Sequence, residues 1–426
     1  MKKYHNYKKE ENEKKKFIKK YKKIKTKVLK RFKSAKKKNK FTKILLYILI
    51  SILIIISIQI IFFSRSLFNN FKYSNYLCDL LINKTLSYDE NAKLLFLHNK
   101  VLNFNKLDKC YYGTKSDDSK FNNIHISFAF DNNYTLLSSI TIANILNVSN
   151  PTTFVHFHII VTTGFEYKNM KKLSSLKSKV NNNSEFIFYN GSRAEEDFGK
   201  HIKYEKCGAG EYAKLLVSVL IDKSVDRVIN LDAGDLLIEK DLIELYNYPL
   251  EDYLVRGAID PYARCFLTWN YYFHRVNYTN AGIYLYNLKK WREMNIYQDI
   301  VNFYNNFRFQ HRLVTQHQDI INCFLPSKSI GLLPMKYNLY EYIDLDKGDK
   351  QWAAFIYNQR CSYYYKNKKA VLEAQNDVVI WHYNHHKIHN GAFNIPMTKK
   401  WKAIVRLTGF YDEICEKYPK GCAKVE

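Results

Sequence analysis

Short apolar runs alternate with longer mixed segments through the middle of this 426-residue chain. The runs rich in apolar and β-branched residues are HISFAF (125–130), FHIIVTT (157–163), EFIFYN (185–190), RVINLD (227–232) and YLVRGAID (253–260). Between the first four lie segments long enough to form helices, at 136–146, 168–179 and 209–221. Because strands that alternate with helices build βαβ units, the sequence predicts an α/β fold with a Rossmann-like, mostly parallel sheet flanked by helices.

Polar residues follow several of the predicted strands directly. Asp131 follows the first strand, Asp232 ends the fourth and Asp260 ends the fifth. A further predicted strand, VVIWHY (378–383), carries His382 close to its end. Ligands of open α/β sheets bind beyond the carboxyl ends of the strands, so we expect these four side chains to converge on one edge of one sheet.

Two carboxylates stand at the exit of a buried strand in the segment RVINLDAGDLL. Oxygen ligands such as Asp232 and Asp235 suit a hard divalent cation, Mn²⁺ or Mg²⁺, that also binds a substrate phosphate. The alternative is an ordinary strand-to-loop turn, in which Asp and Gly are common for conformational reasons. The spacing alone leaves both interpretations open.

A run of 20 residues without charge, ILLYILISILIIISIQIIFF (44–63), has Gln59 as its only strongly polar member. At about 1.5 Å per residue, a helix of this length crosses one hydrocarbon core. A cleaved signal peptide has a shorter apolar core that ends in small residues, whereas this run ends in IIFFSRSLF. The sequence therefore predicts one transmembrane helix that acts as a signal anchor.

Basic residues are concentrated before this run. Residues 1–43 hold 21 Lys and Arg and 3 Glu, which accounts for most of the formal net charge of +27. The 20 residues after the run hold only Arg65 and Lys72 as basic residues. The positive-inside rule then predicts a cytosolic N-terminus and a single-pass type II protein whose remainder is lumenal, in the Golgi or the endoplasmic reticulum. Such a tail can also bind anionic lipid or nucleic acid, but the predicted span argues against a nucleic-acid partner, and we expect a solvated tail.

Composition divides the chain into five parts. We expect a basic cytosolic tail at 1–43, the anchor at 44–63, a polar lumenal stem at 64–122, an α/β domain at 123–400 and a helical C-terminal segment at 401–426. All eight Cys follow the anchor, at positions 78, 110, 207, 265, 323, 361, 415 and 422. An even number on the lumenal side permits disulfides, and the pairing stays open.

Seven segments of the predicted α/β domain form an ordered set. They are ISFAFDNNY (126–134), EYAKLLVSVLIDKSVDRVINLDAGDLL (211–237), RGAIDPY (256–262), YTNAGIYLYNLKKWRE (278–293), HQDIIN (317–322), LLPMKYN (332–338) and VIWHYNHHK (379–387). In this order they resemble glycosyltransferase family 8, the retaining nucleotide-sugar transferases with a GT-A type fold that include bacterial galactosyltransferases and glycogenin. The block Asn-Ala-Gly followed by Asn-Leu-x-x-Trp-Arg is the most specific piece, and the resemblance covers about 123–393.

The resemblance implies that the domain binds a UDP-sugar as donor and a divalent metal, Mn²⁺ or Mg²⁺. The residues implied for uracil and ribose are Ala129, Asp131, Asn133 and Tyr134. Those implied for the diphosphate are Lys214 and Lys387, and those implied for the metal are Asp232, Asp235 and His382. Two alternatives stay open here, since a helical Lys such as Lys214 often faces solvent and Asn133 also begins an N-glycosylation sequon.

On the sugar side, the resemblance implies Gln318, Asp260 and Asp319 as the catalytic residues, with Gln318 beside the anomeric carbon. It also implies a sugar pocket lined by Asn280, Ala281 and Gly282. The alternative for Asn280, Ala281 and Gly282 is a tight turn before a strand at 283–288. The alternative for Asp319 is that it caps a helix at 320–325. Histidines also stand at 385, 386 and 389, so a metal site formed by several histidines, as in a hydrolase, is an alternative. The spacing of these histidines favours His382 as the only histidine ligand.

Three departures from the family pattern bear on activity. The family's Asp-x-Asp is here Asp-Ala-Gly-Asp, one residue longer, so either Asp235 reaches the metal through a local bulge or Asp232 acts with fewer carboxylates. His317 stands before Gln318, where relatives often carry Asp. His385 replaces the family's Gly after the metal His, and Lys387 lies one residue earlier than the family's Lys.

The activity implied is metal-dependent transfer of a hexosyl group from a UDP-sugar, with retention, to a glycan or glycoprotein acceptor in the secretory pathway. The first alternative is a catalytically decayed lumenal binding protein, which the altered Asp-x-Asp motif favours. The second is a glycoside hydrolase or metallohydrolase that acts without a nucleotide. Activity on nucleotide sugars separates the first interpretation from both alternatives.

Overall fold

The computed structural model describes Thr26 and residues 109–112, 120–162, 165–199, 210–261, 278–306, 315, 317–340, 367–383, 387–390 and 395–423. The chain divides into two compact units, Met1–Asn70 and Phe71–Glu426, and every described residue except Thr26 belongs to the second. Within these ranges, no helix is both long and apolar enough to cross a membrane. The predicted anchor at 44–63 lies outside the described residues, as does the predicted tail apart from Thr26.

Eleven strands are formed by the described residues. They are β1 (Lys109–Tyr112), β2 (Asn122–Phe130), β3 (Thr153–Val161), β4 (Ser184–Asn190), β5 (Arg227–Leu231), β6 (Leu236–Ile238), β7 (Val255–Ile259), β8 (Thr279–Asn287), β9 (Ile330–Leu332), β10 (Leu339–Tyr340) and β11 (Ile380–His382). Eight of them form a central sheet in the order β1-β4-β3-β2-β5-β8-β7-β9, and the other three form a small sheet in the order β10-β11-β6.

The central sheet is mostly parallel. Parallel pairs join β4 to β3, β3 to β2, β2 to β5, and β7 to β9. The exceptions are β8, which runs antiparallel to β5 and β7, and β1, which runs antiparallel to β4 at the edge. The prediction of an α/β fold around a mostly parallel sheet is therefore confirmed.

Helices cover the sheet in the order that the alternating pattern predicts. The described helices are α1 (Thr135–Val148), α2 (Tyr167–Ser174), α3 (Leu176–Lys179), α4 (Arg193–Phe198), α5 (Gly210–Ala213), α6 (Val217–Leu220), α7 (Ile243–Tyr246), α8 (Leu288–Glu293), α9 (Ile296–Asn306), α10 (His317–Phe324), α11 (Lys368–Asn376), α12 (Ile395–Leu407), α13 (Tyr411–Lys417) and α14 (Pro419–Cys422). Two predicted helices are broken, because 168–179 divides at Ser175 and 209–221 contains the 3₁₀ turn Lys214–Leu216.

Both faces of the central sheet are buried, which explains why its strands read as continuous apolar runs and not as alternating patterns. All nine residues of β3 are buried. On one face α1 packs against the sheet through residues such as Leu137 and Ile140, and on the other lies a cluster that includes Tyr286 and Trp291. Trp291 is fully buried, and its Nε1 donates to the Leu254 carbonyl at 2.9 Å.

The strand predicted at 378–383 exists as β11, but it does not extend the central sheet. It pairs in parallel with β10 and antiparallel with β6, so the expectation that His382 ends a strand of the central sheet is wrong. The physical reason is the chain path after β5. Residues 232–235 leave the central sheet and lead straight into β6, and β11 pairs with β6.

Two predicted boundaries fall within continuous structure. Strand β1 lies inside the segment 64–122, which the sequence indicates as a stem, and it pairs with β4 with Cys110 opposite Phe188. The sheet therefore begins before residue 123. At the other end, helix α12 (Ile395–Leu407) runs across the boundary placed at 400 and 401.

Candidate active site

The connection between the two sheets carries the two predicted metal carboxylates. Gly234 in this connection has a φ of 87°, a left-handed conformation that glycine adopts without cost. A Cβ at Gly234 would lie 2.4 Å from Leu137 Cβ, so only glycine fits against α1 here. The turn at Gly234 brings carboxylate oxygens of Asp232 and Asp235 within 4.8 Å of each other. The additional residue of Asp-Ala-Gly-Asp is thus absorbed by a glycine turn, and both carboxylates face one point.

His382 completes this group from the small sheet. It lies opposite Leu236, the residue after Asp235, in the pairing of β11 with β6. The imidazole is 1% exposed, and its Nε2 is 3.6 Å from Asp232 Oδ2. The carboxylates and the imidazole offer ligand atoms that all lie within 4.8 Å of one another, although His382 reaches them from a different sheet than predicted.

Gly282 makes the close approach of this imidazole possible. A Cβ at Gly282 would lie 2.2 Å from His382 Cε1 and 2.7 Å from His382 Nδ1. The backbone carbonyl of Gly282 also accepts the Asp232 N–H at 2.9 Å. Gly282, which is predicted to line the sugar pocket, thus lies against the His382 ring as a spacer between the two sheets.

Hydrogen bonds determine which nitrogen of His382 carries the proton. The backbone N–H of Gly282 donates to Asn280 Oδ1 at 2.9 Å, which identifies that atom as the amide oxygen. The Asn338 atom 2.9 Å from the same oxygen is therefore the Nδ2 donor. Asn338 Oδ1 then faces His382 Nδ1 at 2.9 Å, and because an amide oxygen can only accept, Nδ1 is protonated. In the neutral imidazole the lone pair is then on Nε2, the nitrogen that faces Asp232, which is the tautomer that metal binding through Nε2 requires.

The same network continues to the predicted sugar-binding residues. The backbone N–H of Ala281 donates to Gln318 Oε1 at 2.8 Å, and Asn280 Nδ2 donates to it at 3.0 Å. Gln318 Nε2 in turn donates to Asp260 Oδ2 at 3.0 Å. Buried amide groups thus connect His382 to Asp260 without a break. We call Asp232, Asp235 and His382 the metal group after the role predicted for them. A fully bonded network of this kind holds His382 rigidly relative to Gln318 and Asp260.

Asn280, Ala281 and Gly282 lie inside β8, so the alternative of a tight turn before the strand is wrong. Asp260 directly follows β7, and the pairing of β7 with β8 shifts register between Gly257 and Ile259. The backbone N–H of Asp260 still bonds to the Tyr278 carbonyl at 3.0 Å. The register shift therefore brings Asp260 next to β8, which carries Asn280, while a backbone hydrogen bond still joins the two strands.

Both carboxylate oxygens of Asp319 are engaged at the start of α10. Oδ1 accepts from the Tyr278 hydroxyl at 2.7 Å and Oδ2 from the Thr315 N–H at 2.8 Å. Burial and the negative charges of Asp319 and Asp260 hold the pKa of Tyr278 well above its ordinary value, so the hydroxyl keeps its proton and donates. Asp319 lies within the first turn of α10, which begins at His317, so it is not the cap of a helix that begins at residue 320. The catalytic role implied for Asp319 stays a prediction.

Lys214 is buried at 1% exposure, so the solvent-facing alternative is wrong. Its Nζ forms ion pairs with Asp232 and with Glu211, the latter at 2.9 Å. Burial disfavours its charge, but Asp232 and Glu211 outweigh burial and hold the pKa of Lys214 above its ordinary value. Burial alone would raise the pKa of Glu211, yet Lys214 and His317 hold it well below its usual range. Lys214 is therefore a permanent cation beside Asp232.

His317 and Lys387 complete the charge distribution of the site. His317 Nδ1 lies 2.9 Å from Glu211 Oε2, so the residue that replaces the family's Asp contacts a carboxylate. Lys387 Nζ forms an ion pair with Asp235. Burial, with the nearby charge of Asp232, raises the pKa of Asp235 to about 6 although Lys387 opposes this shift. Each metal carboxylate thus has its own lysine.

The residues predicted for uracil and ribose lie at the end of β2. Asp131 Oδ1 accepts the backbone N–H groups of Asn133 at 2.9 Å and of Tyr134 at 3.3 Å, which caps the 3₁₀ turn Asn132–Tyr134. Tyr134 is 47% exposed, and Ala129 is buried in β2 just before the turn. We call residues 131–134 the nucleotide turn.

Strands β2 and β5 are parallel neighbours, with Ser127 opposite Asn230. Asp131 and Asp232 therefore leave the same edge of the central sheet, as predicted. Among the described residues, the group that offers metal ligands consists of Asp232, Asp235 and His382, and the nucleotide role implied for Asp131 stays a prediction.

The match to a known family covers this whole arrangement. The family model "Glycosyl transferase family 8" matches residues 125–388, which is more than half of the chain. The chain belongs to glycosyl transferase family 8. As a family 8 member it is a glycosyltransferase, and the matched range contains every residue predicted for the donor, the metal and the sugar.

Individual relatives agree with the family assignment. General stress protein A of Bacillus subtilis is 25% identical over 223 residues, which is 52% of this chain and 76% of that protein. The Arabidopsis thaliana protein named "Probable galacturonosyltransferase-like 4" is 24% identical over 206 residues, which is 45% of this chain and 55% of that protein. The crystal structure of the galactosyltransferase LgtC with donor and acceptor sugar analogs superposes with a TM-score of 0.52 at 21% identity, over 67% of this chain and 95% of that one. The last similarity shows the fold.

Family 8 enzymes use a divalent metal, and the residues present fit one. Two carboxylates and an imidazole form a donor set suited to a divalent cation that accepts oxygen and nitrogen ligands. The space for the imidazole exists only because residue 282 of this family 8 chain has no side chain. Asp232, Asp235 and His382 are thus the residues that would hold the ion.

Three contacting residues escape the sequence analysis. Asn338 orients His382, Glu211 pairs with Lys214 and His317, and Tyr278 connects Gln318 to Asp319. Each of these three residues lies within one of the segments that resemble family 8. Nothing in the spacing indicates their partners, which are 40 to 106 residues away in the sequence except for Lys214.

Proposed function

We propose that this glycosyltransferase transfers a hexosyl group from a UDP-sugar to a glycan or glycoprotein acceptor, with retention at the anomeric carbon and with a Mn²⁺ or Mg²⁺ ion. The single observation that carries the proposal is the continuous hydrogen-bond network from His382 through Asn280 to Asp260. It joins a group suited to a cation on a diphosphate to a group suited to sugar hydroxyls.

The main chemical demand of the proposed reaction is the negative charge that develops on the departing diphosphate. Asp232, Asp235 and His382 would hold a divalent ion, which would supply Lewis-acid neutralisation of part of that charge. Lys214 and Lys387 supply two further positive charges at the same place, and Lys214 stays charged because Asp232 and Glu211 surround it. Cations held in position before the reaction stabilise developing charge at little reorganisation cost.

Retention needs the acceptor hydroxyl to attack from the face that the nucleotide leaves. An oxocarbenium-like transition state of this kind requires accurate placement of both sugars and no strong protein nucleophile. Gln318 and Asp260 are held by buried hydrogen bonds, and Asp260 Oδ2 accepts from both Gln318 Nε2 and Asn280 Nδ2, at 3.0 and 3.3 Å. We assign Asp260 and Gln318 to positioning of the donor sugar.

We further propose a single-pass type II protein with its catalytic domain in the lumen of the Golgi or the endoplasmic reticulum. The support is the uncharged run at 44–63, the 21 basic residues before it and the disulfide between Cys415 and Cys422. Disulfides persist in oxidising compartments, which include the secretory pathway. Protease protection of sealed microsomes measures this orientation, and digestion of the catalytic domain in intact vesicles would contradict it.

The alternative of a decayed transferase rested on the longer Asp-Ala-Gly-Asp motif. The glycine turn that brings Asp232 and Asp235 together weakens that argument, because the motif keeps both carboxylates at one point. A test uses the full chain in detergent with a panel of UDP-sugars and Mn²⁺. We expect a rise in melting temperature with UDP plus Mn²⁺, and release of UDP from one sugar of the panel. Binding of UDP without any turnover would favour the decayed protein.

A further inference from the structure

The last described residues of the chain form a compact element with no role in the sequence analysis. Helices α13 (Tyr411–Lys417) and α14 (Pro419–Cys422) follow each other directly, and a disulfide joins Cys415 to Cys422. Ile414 is fully buried, so the pair is anchored to the domain core. We call residues 411–422 the C-terminal hairpin.

The C-terminal hairpin contacts the nucleotide turn. Lys417 Nζ donates to the backbone carbonyl of Asn133 at 2.8 Å. The next residue, Tyr418, is half-buried, and burial together with the charge of Asp131 raises its pKa. A cavity of about 440 Å³ lies along the contact, and Asn132 and Glu416 are among its lining residues.

The nucleotide turn also contacts α2, which in turn contacts the C-terminal hairpin. Asn132 Oδ1 accepts from the backbone N–H of Glu166 at 2.9 Å and from Asn169 Nδ2 at 2.8 Å, which fastens the nucleotide turn to α2. Helix α2 is fastened to the C-terminal hairpin by Lys172 and Glu413, whose charged atoms are 2.5 Å apart. The turn is therefore held from two sides, and those two sides are joined to each other.

The C-terminal hairpin also contacts the segment that carries Lys387. The rings of Tyr418 and His389 meet with their centroids 5.0 Å apart. Gly421 packs on the backbone of His389, where a Cβ would lie 2.8 Å from His389 Cα. Lys387, two residues before His389, forms the ion pair with Asp235 at the metal group. One element thus contacts the segments assigned to both ends of a nucleoside diphosphate.

We propose that the C-terminal hairpin is a positioning element of the donor site and that Lys417 is its positioning residue on the nucleotide turn. The identity of the ligand rests on the function proposed above, whereas the bracing itself rests on the contacts. A turn that is ordered before the nucleotide arrives loses less conformational entropy on binding, and the affinity rises accordingly. Lys417 acts on the backbone of Asn133 and need not touch the nucleotide.

The test compares Lys417→Met with Lys420→Met in the full chain in detergent. Both lysines are exposed on the C-terminal hairpin, and Lys420 belongs to α14, away from the nucleotide turn contact. Titration calorimetry with UDP in the presence of Mn²⁺ measures affinity. We expect Kd to rise about 5- to 10-fold for Lys417→Met, consistent with the loss of one charge-assisted hydrogen bond, and to stay unchanged for Lys420→Met. Lys417→Arg restores the affinity, and Mn²⁺ binding without nucleotide is unaffected in all variants.

A second readout needs no ligand. Amide hydrogen exchange of the peptide that contains the nucleotide turn is expected to be several-fold faster in Lys417→Met than in wild type or in Lys420→Met. Equal exchange and equal Kd in wild type and Lys417→Met would overturn the bracing role while the proposed function stands. If Lys417→Met exchanges faster but the wild-type protein does not bind UDP, the bracing role stands and the proposed nucleotide ligand is refuted.

Discussion

His382 Nδ1 donates its proton to Asn338 Oδ1 at 2.9 Å, and this contact orients the only imidazole of the metal group described here. The two residues are 44 positions apart and come from β11 and from the residue before β10. Since β10 and β11 are neighbours in the small sheet, the pairing of two short strands sets the tautomer of a metal ligand. The donor chain ends in a backbone N–H, that of Gly282, so no rotation of an amide group can reverse it.

Asn338→Ala removes the acceptor that holds His382. We expect Mn²⁺ affinity to fall about 10- to 100-fold, because a metal-binding histidine loses orientation and basicity without its hydrogen-bond acceptor. Titration calorimetry with Mn²⁺ alone measures the effect. Asn306→Ala, at the exposed end of α9, is the control and should bind Mn²⁺ as wild type does. Unchanged affinity in Asn338→Ala would remove the role assigned to this contact.

Gly282→Ala places a methyl group in the His382 ring. The expected result is loss of Mn²⁺ binding with a decrease of about 1–3 kcal/mol in the free energy of unfolding, as overpacked sites show. Gly257→Ala is the matched control, because its Cβ would lie 2.5 Å from the Tyr284 ring in the same sheet. Both variants should lose stability, but only Gly282→Ala should lose the metal. Equal Mn²⁺ binding by the two variants contradicts the spacer role.

Asp232→Asn removes one metal carboxylate and one partner of Lys214. We expect metal-dependent turnover to fall by about 100-fold or more, because the charge that holds the ion and the lysine is lost. The fold should remain, because the buried Lys214 keeps Glu211 as an ion-pair partner. Asp252→Asn, at a carboxylate whose side chain is 97% exposed, is the control for turnover and for melting temperature. Turnover by Asp232→Asn at the wild-type rate would refute the metal site.

A histidine cluster far from the metal group predicts a loss of stability in acid. His125 and His156 stack with ring centroids 4.4 Å apart, and His125 Nδ1 is 2.9 Å from His158 Nε2. Burial and the neighbouring His156 lower the pKa of His125 to about 3. The unfolded chain then takes up a proton near pH 6.5 that the folded chain takes up only near pH 3, so stability falls as the pH drops through this window.

The measurement is the free energy of unfolding at pH 7.5 and at pH 5. Between these values His125 should account for a loss of about 2 kcal/mol, since each pH unit below 6.5 costs about 1.4 kcal/mol. His125→Gln keeps a hydrogen-bonding group but does not titrate, so it should lose less stability on acidification than wild type. An identical loss in both proteins would show that His125 is not the responsible group.

The order of the elements was predictable because it depends on local pattern. Residues 125–130 and 227–232 read as buried strands from their composition alone, and β2 and β5 lie there. The exit of Asp131 and Asp232 from one edge followed from parallel pairing, which is a general property of alternating strands and helices. The family match confirms the resemblance to family 8, and the roles that the resemblance implies for single residues stay predictions.

The C-terminal half of the site was less predictable, since it depends on long-range pairing. The isolated strand at 378–383 gave no indication of which sheet it would join, and the choice of β6 and β10 as partners rests on contacts that no periodicity encodes. The same holds for Lys214, whose burial follows from two carboxylates that fold around it, one of them 18 positions away.

The amino-acid sequence by itself determined the α/β class, the candidate metal carboxylates and the family, because short-range periodicity and ordered motifs express them directly. Only the tertiary structure decided that Gly234 and Gly282 let two sheets meet at one point, that Asn338 sets the protonation of His382, and that the C-terminal hairpin reaches the nucleotide turn. Each of these depends on atoms brought within a few ångströms by packing between distant segments, and packing of that kind leaves no periodic trace in a single chain.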